Sequence, residues 1–274
     1  MIVTELAGGM GNQMFRYAVG RALAVRLGTE LGISLNYFHE GSYRPLTLNQ
    51  WSGVTLNKVS NEGRLSVFEG NLGIPQEFPK VSEVAVSRAE SAKRVRDLHD
   101  GTYLSGCWES ERYFTEIADT LRKEFVPHEM SPEGALLARS IAHEAERSVF
   151  LCIRRTDYVT EGRCLPMDYY QKAIRRIVAV EDDPHFFVFS DDGEWVRREL
   201  HIPYRMSVVR AHDLNHQSGT GVEAEDIWLM SRCKHAIIPN STFAWWGAWL
   251  NSNPGVIVSP KWNYTEVPES WIRI

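Results

Sequence analysis

The carboxyl-terminal half of this chain alternates short apolar runs with helical stretches, and the runs close on polar loops. "SVFLCI" stops at "RRTD", "HFFVF" at "SDDG" and "HAIIP" at "NST"; "MSVV" reads as a further strand and "GVIVS" as the last one. Between them, "YYQKAIRRIVAV", "EWVRREL", "AEDIWLMSRC" and "FAWWGAWL" read as helices, and Asp168 with Gln171 has the spacing of a capping box opening the first. Strands alternating with helices at this spacing indicate a mostly parallel sheet with helices on both faces. Ligands of such sheets gather at the carboxyl ends of the strands. The loops are therefore where function is sought.

The chain opens the same way. "MIVTEL" is β-prone and ends at Gly8-Gly9; in the next segment Phe15, Ala18, Val19, Ala22 and Leu23 form an apolar helical stripe, closed by Gly28 as a C-terminal cap. Residues 36 to 100 are rich in Asn, Ser, Gly and Pro and assign no clear elements. "GTYLSGCWESERYF" leads into a helix through "FTEIADTLRKEF", and the pattern breaks at "VPHEMSPEG". This predicts two α/β domains, residues 1–130 and 131–274.

Composition narrows the classes. At 274 residues with 43% hydrophobic and 24% charged, the chain can bury a real core. A net charge of −5 disfavours a nucleic-acid binder. Cys107, Cys152, Cys164 and Cys233 lie far apart with no C-x-x-C pair, which argues against a zinc ribbon or a disulfide scaffold. The first residues lack the basic and apolar regions of a signal peptide, and no run is long enough to span a bilayer. The expectation is a reduced, cytoplasmic protein.

Four loops carry the candidate chemistry. In "GGMGNQ" the glycines let the backbone approach a phosphate at a helix N-terminus; the alternative is a plain strand-to-helix turn. Met14 stands where the third glycine of a dinucleotide fingerprint belongs, which disfavours a dinucleotide oxidoreductase. In "IRRTDY", Arg154 and Arg155 end a strand, one able to hold two phosphate oxygens while the other braces the loop, with Asp157 placed to orient a guanidinium; a purely structural ion pair is the alternative. In "FSDD", a strand-end aspartate can accept from a ribose or base edge, or Asp192 or Ser190 simply caps the next helix. No two aspartates stand two apart, so the Asp-x-Asp of metal-dependent sugar transferases is missing. In "PNSTFAWWGAW", Ser241 and Thr242 stand at a helix N-terminus, as an anion site or only a cap, and Trp245, Trp246 and Trp249 read as core.

Together "GGMGNQMFRYA", "YLSGCWESERYF", "IRRTDY", "FVFSDD" and "DIWLMSRCKHAIIPNSTFAWWGAWLN" resemble the bacterial α-1,2-fucosyltransferases of glycosyltransferase family 11, in order, from the first residues to about residue 262. The resemblance implies a GT-B fold: two Rossmann-like domains facing across a cleft, the first on the acceptor side and the second binding GDP-fucose. It also implies inverting transfer of L-fucose from GDP-β-L-fucose to the 2-hydroxyl of a terminal galactose, with no metal and no cofactor. The acceptor implied is a glycan or lipid-linked oligosaccharide of O-antigen or capsule synthesis, reached with at most peripheral membrane association at the inner face of the cytoplasmic membrane.

Carried onto this chain, the resemblance implies that Arg154 and Arg155 hold the pyrophosphate, with Arg154 nearer the β-phosphate. Ser241, Thr242 and the Phe243 N–H would complete the cradle, and Ser190 and Asp191 would read the guanosine. Gly11 and Asn12 would reach the β-phosphate or fucose from the other domain, and Trp108, Glu109 and Arg112 would border the acceptor. Asp157 is the nearest candidate base, although its arginine neighbours would weaken it as one. Cys152 departs from the family's usual His, which favours a structural role there in a buried strand; Thr156 replaces a commoner Gly. The competing readings are a fucosyltransferase of another linkage or GDP-sugar, and a glycan- or nucleotide-binding module without turnover.

Overall fold

The computed structural model describes residues 1–38, 42–59, 66–69, 88–209, 221–261 and 265–274; much of the illegible 36–100 stretch lies outside these. The chain forms two compact units, Met1–Val126 and Pro127–Ile274, dividing inside "VPHEMSPEG".

The first unit contains β1 (Ile2–Glu5), α1 (Met10–Leu27), β2 (Leu31–Ser34), β3 (Ser66–Glu69), α2 (Arg88–Arg96), β4 (Thr102–Ser105) and α3 (Ala118–Glu124). Its strands pair in parallel in the order β2-β1-β4-β3. α1 lies close on this sheet: a Cβ at Gly20 would come within 3.0 Å of Thr4. The helix ends as the sequence predicts, with Gly28 in the left-handed region (φ 62°) and the Thr29 N–H returning to the Ala24 carbonyl at 3.0 Å.

The second unit runs α4 (Pro132–His143), β5 (Ser148–Ile153), α5 (Thr156–Thr160), α6 (Met167–Val178), β6 (His185–Ser190), α7 (Gly193–Glu199), β7 (Arg205–Val209), α8 (Glu223–Ser231), β8 (His235–Ile237), α9 (Thr242–Trp249), β9 (Ile257–Ser259) and β10 (Ile272–Arg273). Its sheet is parallel throughout, in the order β10-β9-β8-β5-β6-β7. All of β5 is buried, as a central strand covered on both faces requires. Val149, Leu151 and Ile153 join Tyr170, Ile174 and Ile177 of α6 in one core; Phe150 and Cys152 alternate to the other face, where Phe150 meets Phe189 edge-on.

Two expectations are corrected. Asp168 opens no capping box: α6 begins at Met167 behind Pro166, so Asp168 sits inside the first turn and pairs with Lys172 at 2.6 Å. The series also does not end at "GVIVS", because β10 adds a short edge strand next to β9. Trp245, Trp246 and Trp249 are core, as predicted, with Trp271 against Trp245. Gly247 lets α9 approach α8, since a Cβ there would lie 2.7 Å from the Met230 Cβ. Gly247→Ala is expected to destabilise by about 1–3 kcal/mol through overpacking, read as a lowered denaturation midpoint at unchanged m-value.

Two imidazoles, His235 buried and His185 half-buried, set an acid limit. Burial is the main force lowering the pKa of His235, whose Nδ1 accepts the Val256 N–H at 3.0 Å; burial likewise lowers His185 against the opposing pull of Glu144. Folded pKa values below the unfolded value of about 6.5 mean that the unfolded chain binds more protons there. The contribution is thus complete above about pH 6.5 and is lost as pH falls through the folded values. The melting temperature is expected to fall from pH 7.5 to 5, with a shallower slope in His235→Gln.

Candidate active site

The carboxyl edge of the second sheet brings three of the four predicted loops together. Register places Ile153 of β5 opposite Ser190 of β6, and Leu151 opposite Ile237 of β8. The loops after these strands, holding Arg154–Arg155, Asp191–Asp192 and Asn240–Ser241, are therefore neighbours.

Arg154 is gripped from two sides. Its Nη2 donates to Asp157 Oδ1 at 2.9 Å, and its Nη1 lies 2.9 Å from Asp191 Oδ2. The Tyr158 ring lies beneath, 5.6 Å from the guanidinium carbon. Burial works against the charge, but Asp191 and Asp157 outweigh it and raise the pKa, so Arg154 is a fixed cation. Its side chain keeps 27% exposure, and a guanidinium has five N–H donors, so capacity for a ligand remains.

Arg155 turns to different partners. Its Nε donates to Asp192 Oδ2 at 3.2 Å, and its guanidinium stacks over Trp195 at 4.0 Å. Asp192 also caps α7, accepting the Trp195 N–H at 2.9 Å, while Ser190 Oγ accepts the Asp192 N–H at 3.0 Å. The capping alternative for "FSDD" is thus realised through Asp192.

Asp191 is the organiser of the arginine loop. Oδ1 accepts the Arg155 N–H at 2.8 Å, and Oδ2 accepts the Thr156 hydroxyl at 2.6 Å besides facing Arg154. Threonine at 156, in place of a glycine, supplies one of these bonds. The beginning of α9 follows from the neighbouring strand: Ser241 is buried at its N-cap without a side-chain cap bond, Thr242 is its first residue and Phe243 its second.

Tyr158 and Asn240 were not picked out from sequence, although both lie within the quoted motifs. The Tyr158 hydroxyl donates to the Asn240 carbonyl at 2.7 Å, and Asn240 Nδ2 donates to the Arg163 carbonyl at 3.2 Å. These bonds fix the arginine loop against the start of α9. A tyrosine one helical step past an Arg–Asp pair is the signal that could have marked it. Cys152, one strand position before Ile153, is buried; burial and then Asp191 push its thiol up, so it stays protonated and neutral. That environment suits the structural reading of Cys152 and denies it a proton-relay role at neutral pH.

In the first unit, the glycine loop is built around one amide. Gln13 Nε2 donates to the Gly8 and Pro45 carbonyls at 2.7 and 2.9 Å, and its Oε1 accepts the Thr47 and Leu48 N–H groups, both at 3.0 Å. Gly8 needs to be glycine twice over: its φ is +76°, and a Cβ would lie 2.9 Å from Asn12 Nδ2. Gly11 is buried and Asn12 half-buried in the first turn of α1. Trp108 departs from its expected place on a ligand surface. Its ring is fully buried and edge-on to Tyr113, 5.3 Å away, and its backbone has a positive φ of 59°. Glu109 is half-buried and Arg112 exposed, the Arg112 N–H being bound to Ser110 Oγ.

Among the described residues, no group of three or more His, Cys, Asp or Glu is arranged to hold a metal ion, and no helix is long and apolar enough to cross a membrane.

Comparison with known proteins gives the site its family. Over its whole length the chain is 33% identical to an α-1,2-colitosyltransferase from Escherichia coli, covering 99% of that protein. It is 29% identical to the O-antigen biosynthesis glycosyltransferase WbnK, also from Escherichia coli, covering 98% of this chain and 99% of the relative. Among solved structures, the fucosyltransferase NodZ from Bradyrhizobium superposes with a TM-score of 0.53 at 17% identity, over 93% of this chain and 96% of NodZ. That likeness shows the expected GT-B type fold. The profile described as Glycosyl transferase family 11 matches residues 90–269, and the chain belongs to that family.

Proposed function

We propose that this chain is a galactoside α-1,2-fucosyltransferase, moving L-fucose from GDP-β-L-fucose to the 2-hydroxyl of a terminal galactose with inversion at the anomeric carbon. The observation that carries this reading is Arg154, charged, partly open and held between Asp157 and Asp191 at a strand end beside the start of α9. Such a cation can meet the charge that develops on a departing diphosphate, and the positive dipole end of a helix such as α9 favours an anion. Arg155 braces the loop through Asp192 and Trp195. Asp191, with both oxygens engaged, acts by positioning Arg154 rather than by reading the guanosine, and Ser190 supports the turn beside it.

In this mechanism the acceptor oxygen attacks the anomeric carbon as the bond to the β-phosphate oxygen breaks. Asp157 is the carboxylate nearest to Arg154 in sequence that could receive the acceptor proton. Its first role is to orient the guanidinium, and the ion pair weakens it as a base. The lack of an Asp-x-Asp motif supports transfer without a metal, and no cofactor is invoked. The acceptor would be a glycan or lipid-linked repeat of an O-antigen or capsule at the cytoplasmic face of the membrane; the likeness to WbnK supports the O-antigen part of this reading.

A second donor is favoured by one observation, the full-length likeness to a colitosyltransferase. Colitose is the 3-deoxy counterpart of L-fucose, so the same diphosphate chemistry serves both, and only a contact to the sugar 3-hydroxyl separates them. Mass-spectrometric detection of transfer from GDP-fucose and from GDP-colitose to a panel of β-galactosides, with EDTA present, decides. An α-1,2-fucosylated product supports the proposal. Transfer from GDP-colitose alone replaces the donor, and product of another linkage replaces the acceptor hydroxyl. Absence of both transfer and donor hydrolysis rejects turnover in favour of a binding module.

A further inference from the structure

The carboxyl edge of the first sheet places hydroxyls beside the Glu5 carboxylate, with Glu69 of β3 paired to Ser105 further along the same edge. β1 pairs Glu5 with Ser34 of β2, and the Thr4–Leu104 pair brings Ser105 of β4 beside Glu5. Residues that oppose one another across parallel strands share a face, as do those two apart, so Glu5, Ser34, Tyr103 and Ser105 lie on one side of the sheet. Ser105 Oγ donates to Glu5 Oε2 at 2.7 Å, and the Tyr103 hydroxyl donates to Ser34 Oγ at 2.9 Å. Burial first, and then the charge of Glu5, raise the Tyr103 pKa, so its hydroxyl stays neutral.

Glu5 is anchored without being consumed. Arg16 of α1 holds the Glu5 carbonyl at 3.3 Å, whereas its guanidinium stands 3.9 Å from the carboxylate, too far for a hydrogen bond. A carboxylate has about four acceptor positions, and Ser105 and Tyr103 both draw on those of Glu5 without exhausting them. The Glu5 side chain is 24% exposed, Tyr103 and Ser105 are half-buried, and Ser34 is buried beneath them. A parallel sheet places ligands at this end, and the glycine loop begins three residues after Glu5.

We infer that Glu5, Tyr103 and Ser105, with Ser34 buried behind them as the partner of the Tyr103 hydroxyl, form a subsite for the hydroxyl groups of the acceptor's terminal sugar. The chemistry fits a polyhydroxylated ligand: the carboxylate accepts from neighbouring sugar hydroxyls, and the Ser105 and Tyr103 oxygens, whose own protons go to Glu5 and Ser34, accept as well. This deepens the family 11 glycosyl-transfer reading and rests on it. It also relocates acceptor recognition from the buried Trp108 ring to the strand ends.

The test uses the full chain and methyl β-D-galactoside as probe, with binding followed by ligand-observed NMR and GDP affinity by calorimetry on the same preparations. Wild type is expected to bind the galactoside, Glu5→Gln to bind it about tenfold more weakly or worse, and Tyr103→Phe to weaken it less. GDP affinity is expected to be equal in all three. No binding by wild type, or equal binding by Glu5→Gln, overturns the subsite. So does a parallel loss of GDP affinity in both variants, which marks the cluster as structural. Galactoside binding that depends on Glu5, in a protein with no affinity for GDP, upholds the subsite while the donor reading fails.

Discussion

Arg154→Lys is expected to lower kcat for glycosyl transfer by about 100- to 1,000-fold, the range for removing one electrostatic donor from a transition state, while leaving the melting temperature within a few degrees of wild type. The lysine keeps a positive charge between Asp157 and Asp191, so neither carboxylate is left uncompensated. What it loses is the planar fork. Arg154 reaches both carboxylates through different nitrogens, 2.9 Å each way, and still has N–H groups left to offer. An ammonium is a point charge with three donors on a flexible stem, and it cannot meet two fixed carboxylates and a phosphate together. Arg154→Ala is the less informative change, because removing the partner of a buried carboxylate costs about 3–5 kcal/mol by itself, and Asp191 is buried. Steady-state kinetics at saturating donor, with melting curves of the same samples, separates these effects. A lysine variant turning over near the wild-type rate would reduce Arg154 to a structural ion pair.

The features of this site that were legible in sequence are those written in local pattern. Alternating apolar runs and helices fixed the parallel α/β character, Gly28 marked the end of α1, and the position of "RRTD", "SDDG" and "NST" after strands marked one edge of a sheet. The features that were not legible depend on partners distant in the chain. Asp191 reads as a ligand contact until the β5–β6 register shows its oxygens bound to Arg155 and Thr156, more than thirty residues away. Trp108 sits in a polar stretch and reads as an acceptor contact, and only the folded chain shows its ring buried against Tyr113. Asp168 has the spacing of a capping residue, but the helix starts one residue earlier, behind Pro166, and a lysine one turn on takes the carboxylate. Propensity gave the elements, while tertiary pairing decided which polar groups stay available to a ligand.

The same rule makes Gln13 the position with the largest expected effect on stability. Gln13→Leu is expected to cost about 3–6 kcal/mol, summing a few buried backbone groups left unpaired at roughly 1–3 kcal/mol each. The side chain is fully buried and all four of its hydrogen-bonding positions are used, two toward carbonyls and two toward N–H groups. Leucine fills the volume and satisfies none of them. Against a typical domain stability of about 5–15 kcal/mol, such a loss leaves the first unit marginal. Gln13→Glu is the instructive companion. A carboxylate still accepts from Thr47 and Leu48 but turns lone pairs toward the Gly8 and Pro45 carbonyls, so burial should raise its pKa above the unfolded value near 4.3. Its stability deficit relative to wild type should therefore be smallest below about pH 4.3 and grow as pH rises through the folded value. Amide exchange at Thr47 and Leu48 reports the break locally, and both variants should lose protection there first. Asn12 stands next to Gln13 and against Gly8, so the loop that carries it should loosen in the same step. Unchanged protection at Thr47 and Leu48 in Gln13→Leu would mean that the loop closes on other contacts, and that this amide does not organise it.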